Sequence, residues 1–240
     1  MRFLTAGTYL IALLLLSAFS IAQDTKPLPA SPSQSREDQS KLEQLRNLPI
    51  QWLIGPYIPP SGPFTPLTGR ERTRVYFVQT YLNVGTYMAR AFAAGIDQAQ
   101  GDPHEWGGGA AGYGRRFASR YGQFVIENTF VAAGNAALGY EPRYDLCRCT
   151  GFWPRSKHAV LRNFVTYNNT ERELRPQIPL YLGAFGAGAI SSTWMPGHPS
   201  ALRNGAWVAL QEAGYGSGIN WVSEFAIDIL HKFGIKVDRK

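Results

Sequence analysis

Along most of the chain the apolar positions recur at helical spacing, and few stretches alternate as a half-buried strand would. The first helix is predicted at Thr68, which stands with Glu71 in the spacing of a capping box just ahead of an apolar run to about Leu82. Beyond Asn83, the residues Val84, Met88, Ala91, Phe92, Gly95 and Ile96 repeat at helical spacing until Gly101-Asp102-Pro103 stops them. A third pattern, from Trp106 or Ala110 to Leu138, places Tyr113, Phe117, Tyr121, Phe124, Val131 and Ala132 on one side. A loop follows over Glu141 to Gly151, then a helix over Pro154 to Tyr167, with Pro154 in the first turn, where its missing N–H costs no hydrogen bond. After a polar turn around Asn168 to Pro176 comes an apolar helix over Ile178 to Trp194, ended by Met195-Pro196-Gly197. The last pattern runs from Pro199 or Ser200 to about Phe233, with Gly214 to Gly218 offering a break. No Asn-Gly hairpin signal joins β-branched runs, so the predicted class is all-α: a compact multi-helix bundle over residues 67–240.

The segments ahead of the bundle have different chemistry. Arg2 precedes an apolar run from Tyr9 to Ala22, broken by Ser17 and Ser20, and small residues at Ser20 and Ala22 flank Ile21. Residues 1–22 therefore read as a secretory signal peptide cut between Ala22 and Gln23, the alternative being an uncleaved anchor. The run falls short of the roughly 20 apolar residues that a transmembrane helix requires. Residues 23–47 are polar, with Pro27, Pro29 and Pro32, and read as a flexible leader. In residues 48–66, Pro49, Pro56, Pro59, Pro60, Pro63 and Pro66 stand among Trp52, Ile54, Tyr57 and Phe64. Proline at that density argues against a regular helix, and the apolar residues between predict an extended strap packed on the bundle.

Small residues four apart line several helices: Gly85, Ala89 and Ala93; Ala91, Gly95 and Ala99; Gly114, Ala118 and Gly122; Gly183 and Ala187; Gly205, Ala209, Ala213 and Ser217. A helical glycine costs about 1 kcal/mol relative to alanine, so the repetition predicts close approach between helices. The same motif marks membrane helix pairs, which makes a membrane-integral helical bundle the alternative. Against it, Arg90, Glu127 and Glu212 interrupt the apolar patterns, and a charge at the bilayer centre costs at least about 2.5 kcal/mol. A tightly packed soluble bundle is the better reading. Trp153, Trp194, Trp207 and Trp221 are then core residues, or else an interfacial belt.

Charge narrows the partners. Lys and Arg number 24 against 17 Asp and Glu, a formal net charge of +7. An exported cation can meet an anionic membrane surface, acidic polysaccharide or another envelope protein; export makes nucleic acid an unsuitable partner. No dense run of Lys and Arg occurs. The two cysteines, Cys147 and Cys149, flank Arg148 and suit a local disulfide that pins a loop. They supply too few ligands for a metal, and no cofactor is implied.

The motifs of zinc proteases, serine hydrolases and phosphate-binding loops do not occur. His104 and Glu105, between a proline and a run of glycines, are candidates for acid or base chemistry or for capping the next helix. Glu105 and Glu127 are the candidate carboxylate pair for glycoside hydrolysis. Arg90 and Asp97 lie two helical turns apart on one face. If they meet Glu127 inside the bundle, they form an ion-pair network that fixes helix register or a polar active site. Arg143, Tyr144, Arg155 and His158 combine aromatic and basic character and are candidates for holding an anionic glycan or lipid headgroup.

The segments Gly95-Ile96-Asp97-Gln98-Ala99, Gly112-Tyr113-Gly114-Arg115-Arg116-Phe117, Glu141-Pro142-Arg143-Tyr144 and Trp194-Met195-Pro196-Gly197 carry a resemblance. From about Pro63 to Trp221 the chain resembles a group of uncharacterised bacterial proteins with signal peptides. The resemblance implies export and a helical domain and carries no activity. The sequence thus predicts an exported protein, periplasmic or associated with the cell envelope, with a non-catalytic structural or interaction role. The alternatives are an envelope hydrolase with an acidic and histidine site, and the membrane-integral bundle.

Overall fold

The Pro-rich segment is not extended throughout. In the computed structural model, which describes residues 50–60, 64–169 and 172–234, one helical turn, α1 (Gln51–Ile54), fits ahead of Pro56. Prolines at 49 and 56 leave the N–H groups between them free, and Leu53 and Ile54 both donate to the Ile50 carbonyl at 2.9 and 3.0 Å. Gly55, at φ 80°, then turns the chain into β1 (Tyr57–Ile58). This strand pairs in parallel with β2 (Tyr144–Asp145), Tyr57 opposite Tyr144 and Ile58 opposite Asp145. Ile50 and Tyr57 join Leu146, Ala226 and Ile227 in a buried apolar cluster, so the segment is packed on the body. The signal peptide and the polar leader predicted over 1–22 and 23–47 lie outside the described residues.

Side-chain caps set two of the helix starts. The Thr68 hydroxyl oxygen accepts from the Glu71 N–H, and the Glu71 carboxylate accepts the Thr68 N–H at 2.8 Å, completing the capping box of α2 (Gly69–Phe77). The helix widens into a π turn over Val78–Leu82. The Asn83 side chain then accepts from Thr86 N–H at 2.9 Å to start α3 (Val84–Gln100), which ends at Gly101 in the left-handed conformation. A 3-10 turn, His104–Trp106, leads into α4 (Gly109–Leu138), and after β2 comes α5 (Phe152–Leu161). The antiparallel pair β3 (Val165–Tyr167) and β4 (Leu174–Pro176) separates it from α6 (Ile178–Ser191) and α7 (Ala201–Lys232). The fold is all-α, with the strands confined to these two short pairs among the described residues.

Three boundaries differ from those predicted. The helix expected to reach Tyr167 stops at Leu161. Val165, Thr166 and Tyr167 favour a strand, and the Glu141 backbone holds them there: its N–H donates to the Tyr167 carbonyl at 2.9 Å and its carbonyl accepts the Thr166 hydroxyl at 3.0 Å. Helix α6 ends at Ser191 rather than Trp194. The hydroxyls of Ser191, Ser192 and Thr193 donate to the carbonyls of Gly188, Ala189 and Ile190 and compete with the backbone ladder. Helix α7 runs unbroken through Gly214 to Gly218, where the absence of a side chain at Gly216 leaves room for Asn163.

Helix α6 packs against both α4 and α7, and its small residues allow this. A Cβ at Gly183 would stand 2.8 Å from Val131 Cγ2 and 3.0 Å from the Glu127 carbonyl; one at Gly188 would stand 2.8 Å from the Asn204 carbonyl. From the facing side, a Cβ at Gly205 would stand 2.7 Å from the Phe185 carbonyl, and Ala184 and Ala187 are fully buried. The stripes expected on α3 and α4 divide: a Cβ at Gly85 would collide with the Leu53 carbonyl and Ala93 is buried, whereas Gly95, Gly114 and Gly122 have nothing within 4 Å of a Cβ and face outward. On these helices Asp97, Arg116, Arg120 and Glu127 occupy the inner face instead. Gly188→Val should therefore destabilise the protein by roughly 1–3 kcal/mol through overpacking. Gly122→Ala should stabilise it by about 0.5–1 kcal/mol. Urea denaturation measures both, and equal effects of the two substitutions would contradict this packing.

Candidate functional site

Some of the helix charges turn inward and gather in two clusters. The first joins β2, α5 and α7 around Glu224, which is 1% exposed. Its carboxylate accepts from the Cys147 N–H at 3.0 Å, the Tyr144 hydroxyl at 3.1 Å and Arg155 Nε at 3.0 Å, while Arg155 Nη1 lies 2.6 Å from Asp228 Oδ2. His158 sits between two acids, its Nε2 3.3 Å from Asp145 Oδ2 and its Nδ1 3.7 Å from Glu224 Oε2. Asp145 is also paired with Arg162. Burial by itself would raise the Glu224 carboxyl, but hydrogen bonds from His158, Cys147, Arg155 and Tyr144 outweigh it and hold the group below the ordinary range. Burial would likewise lower His158, and its two acidic neighbours reverse this and raise it to about 9. Tyr144 is raised by burial and by the Glu224 charge.

The second cluster lies among α3, α4 and α7. Asp97 does not meet Arg90; it is held by Arg120 through two hydrogen bonds of 2.7 Å each. Arg90 instead lies near Glu127 and Glu212, its guanidinium 4.5 Å from the centre of the Phe124 ring. The Glu127 and Glu212 carboxyls hydrogen-bond to each other, which requires a shared proton. Burial and the neighbouring carboxylate raise Glu212 to about 8, and burial raises Glu127 despite Arg90. Asn128, the next residue on α4, donates to Thr80 in the π turn at 2.5 Å.

His104 and Glu105 pair at 3.4 Å on the 3-10 turn, their side chains 88% and 44% exposed. Glu127 lies roughly 27 Å of helix rise beyond the start of α4. Glu105 precedes that start, so the structure does not bring the two within the roughly 5–10 Å of a glycosidase pair. Arg143 is held by buried Glu141, through Nε at 2.7 Å, and by the Thr65 carbonyl at 2.9 Å. Tyr144, Arg155 and His158 are brought together, though onto Glu224 rather than toward solvent. Cys147 and Cys149 are joined by a disulfide. Glu224 and Asp145 were not predicted; the available signal for Glu224 was a lone acid inside the apolar run Trp221 to Ile227. Among the described residues no group of three or more His, Cys, Asp or Glu side chains is arranged to hold a metal ion.

The outer sides of α6 and of much of α7 are apolar. Between Asn204 and Ile227, α7 carries only two charged residues, Glu212 and Glu224, and both turn inward. Helix α6 carries none, and the outer sides of these helices present Leu182, Leu202, Trp207 and Leu210, each more than half exposed. Met88 and Phe92 do the same on α3. Two surface grooves, of about 470 and 500 Å³, lie beside Trp106 and Trp194 and beside Arg203 and Trp207, and neither is lined by the charged clusters. No described helix is long and apolar enough to cross a membrane.

The chain matches no protein family, no curated protein and no solved structure. Function is therefore read from the geometry alone.

The clusters dictate how stability varies with pH. Glu212 titrates at about 8 when folded against 4.5 ordinarily, so the native bundle keeps a proton that the unfolded chain has lost. Its stabilisation is full below pH 4.5 and is lost as the pH rises to about 8. His158 acts in the same direction, its stabilisation full below pH 6.5 and lost through about 9. Glu224 acts oppositely, stabilising above its ordinary range and failing as the pH falls through its lowered value. Urea unfolding should thus show stability falling from mildly acidic to alkaline pH. Glu212→Gln should remove up to about 1.4 kcal/mol per pH unit of that slope between pH 4.5 and 8. An unchanged slope in this variant would rule out the shared proton.

Proposed function

We propose that this chain is an exported cell-envelope protein with a non-catalytic, interaction role, which seats the apolar outer faces of its helices at an anionic lipid surface. The observation that supports this reading is the distribution over α6 and α7: Glu212 and Glu224 inside, Leu182, Leu202, Trp207 and Leu210 outside. Removing a large apolar side chain from water is worth about 1.5–3 kcal/mol, so such a surface gains most by meeting lipid. Exposed Arg203, between Leu202 and Trp207, sets a cation beside an aromatic ring, a pairing suited to the headgroup region. The net charge of +7 favours anionic headgroups. Because no described helix is long and apolar enough to cross a membrane, the helices are read as lying in the interface. Export rests on the signal-peptide pattern of residues 1–22.

The hydrolase alternative has no comparable support. His104 and Glu105 face solvent, and Glu127 is engaged with Glu212 and Arg90.

Flotation with vesicles tests the reading. The chain should float with phosphatidylglycerol vesicles and less with phosphatidylcholine ones. The double variant Trp207→Glu, Leu210→Glu should lose at least about tenfold in binding while keeping its far-ultraviolet circular dichroism. Wild-type protein that stays in the dense fraction with both lipids would overturn the proposal.

A further inference from the structure

The loop between β2 and α5 carries a disulfide that encloses a single residue, Arg148. A bridge this local removes little freedom from the unfolded chain, since the stabilising effect of a disulfide grows with the length of the loop it closes. Its two sulfurs are also unequal. Cys147 is buried, and its N–H is bound to Glu224 at 3.0 Å, which fixes it to the charged cluster. Cys149 is only partly buried and stands between exposed Arg148 and Thr150. The Cys149 N–H donates to Cys147 Sγ at 3.2 Å.

Directly beyond the disulfide the chain offers a platform. Gly151, at φ 91°, turns into α5 and is followed by Phe152 and Trp153, 52% and 78% exposed, with ring centroids 5.3 Å apart. The Phe152 ring is backed by Trp221 at 6.2 Å and Phe225 at 5.5 Å, so its position is fixed. A partly buried half-cystine and an exposed aromatic pair thus begin three residues apart along the chain.

We propose that the Cys147–Cys149 loop is a reversible covalent docking site for a thiol-bearing polypeptide, whose apolar side chains rest on Phe152 and Trp153. The partner thiolate attacks Cys149 Sγ, and the S–S bond to Cys147 breaks. The bonding pair leaves on Cys147 Sγ, where the Cys149 N–H stabilises the thiolate until it takes a proton from solvent. The product is a mixed disulfide between the partner and Cys149 and a free thiol at Cys147. One disulfide is consumed for each one formed, so no further oxidant takes part. Return attack by Cys147 releases the partner. Burial of Cys147 sets the direction, because an incoming thiolate reaches Cys149 first. The site does not depend on the lipid reading.

The test incubates the full chain with a synthetic peptide carrying one cysteine flanked by leucine and phenylalanine, then alkylates under denaturing conditions and maps the products by mass spectrometry. The peptide should be found on Cys149 and the alkyl group on Cys147, with at least about a tenfold excess over the reverse assignment. The Phe152→Ala, Trp153→Ala double variant should lower the peptide adduct several-fold and leave the adduct with reduced glutathione unchanged. Absence of any adduct, equal labelling of both cysteines, or a peptide yield unaffected by the double variant would each overturn the proposal.

Discussion

A carboxylate removed from water must be compensated on every side, and Glu224 is the point where this structure meets that demand. Its compensation comes from a loop N–H at Cys147, a strand hydroxyl at Tyr144 and the α5 cations Arg155 and His158. Three consecutive elements, 69 to 80 residues from Glu224 along the chain, are thereby drawn onto α7. The strap follows, because β1 pairs with β2 and buries Tyr57 against Leu146 and Ile227 in the same region. Apolar burial here is modest: the clustered core is built from Ile50, Tyr57, Leu146, Ala226 and Ile227. Register in this region is set by directional polar contacts, which tolerate little displacement.

The same logic extends along the bundle and accounts for its outer surface. Arg120 with Asp97, and Arg90 with Glu127 and Glu212, occupy the interior of α3, α4 and α7, while α6 contributes glycine and alanine to let its neighbours close. With the interior given to ion pairs and small residues, the large apolar side chains of these helices fall on the outside. A patch of this kind in water is a liability unless something covers it. Lipid contact, a positive net charge and the tryptophan and arginine pairing at Trp207 and Arg203 form one consistent reading.

Much of the fold was legible in local chemistry. Thr68 with Glu71, Asn83 and Gly101 mark helix ends through contacts made within a few residues, and each lies at the predicted place. The hairpin of β3 and β4 was not legible, because its strands are three residues long and are held by a distant backbone, that of Glu141. Partner choice was legible in part. Arg90, on the face expected to meet Glu127, lies near it, whereas Asp97 is held by Arg120, because periodicity says nothing of which residue of a neighbouring helix will stand opposite. The small-residue stripes give the same lesson: Gly183 and Gly205 close on neighbours, whereas Gly114 and Gly122, in the same pattern, face outward. A stripe records that close approach is allowed, not that it occurs.

The central claim is that paired charges, rather than apolar mass, hold this bundle together where α5 meets α7. A double-mutant cycle between Arg155 and Glu224, using Arg155→Met and Glu224→Gln and read by urea unfolding, tests it most directly. Either single substitution should be strongly destabilising, by about 3–5 kcal/mol, because each strands its buried partner. The double variant should then recover much of the loss, with a coupling of at least about 1 kcal/mol. Effects that add to within about 0.5 kcal/mol would contradict the claim and return the stability of this region to its apolar contacts.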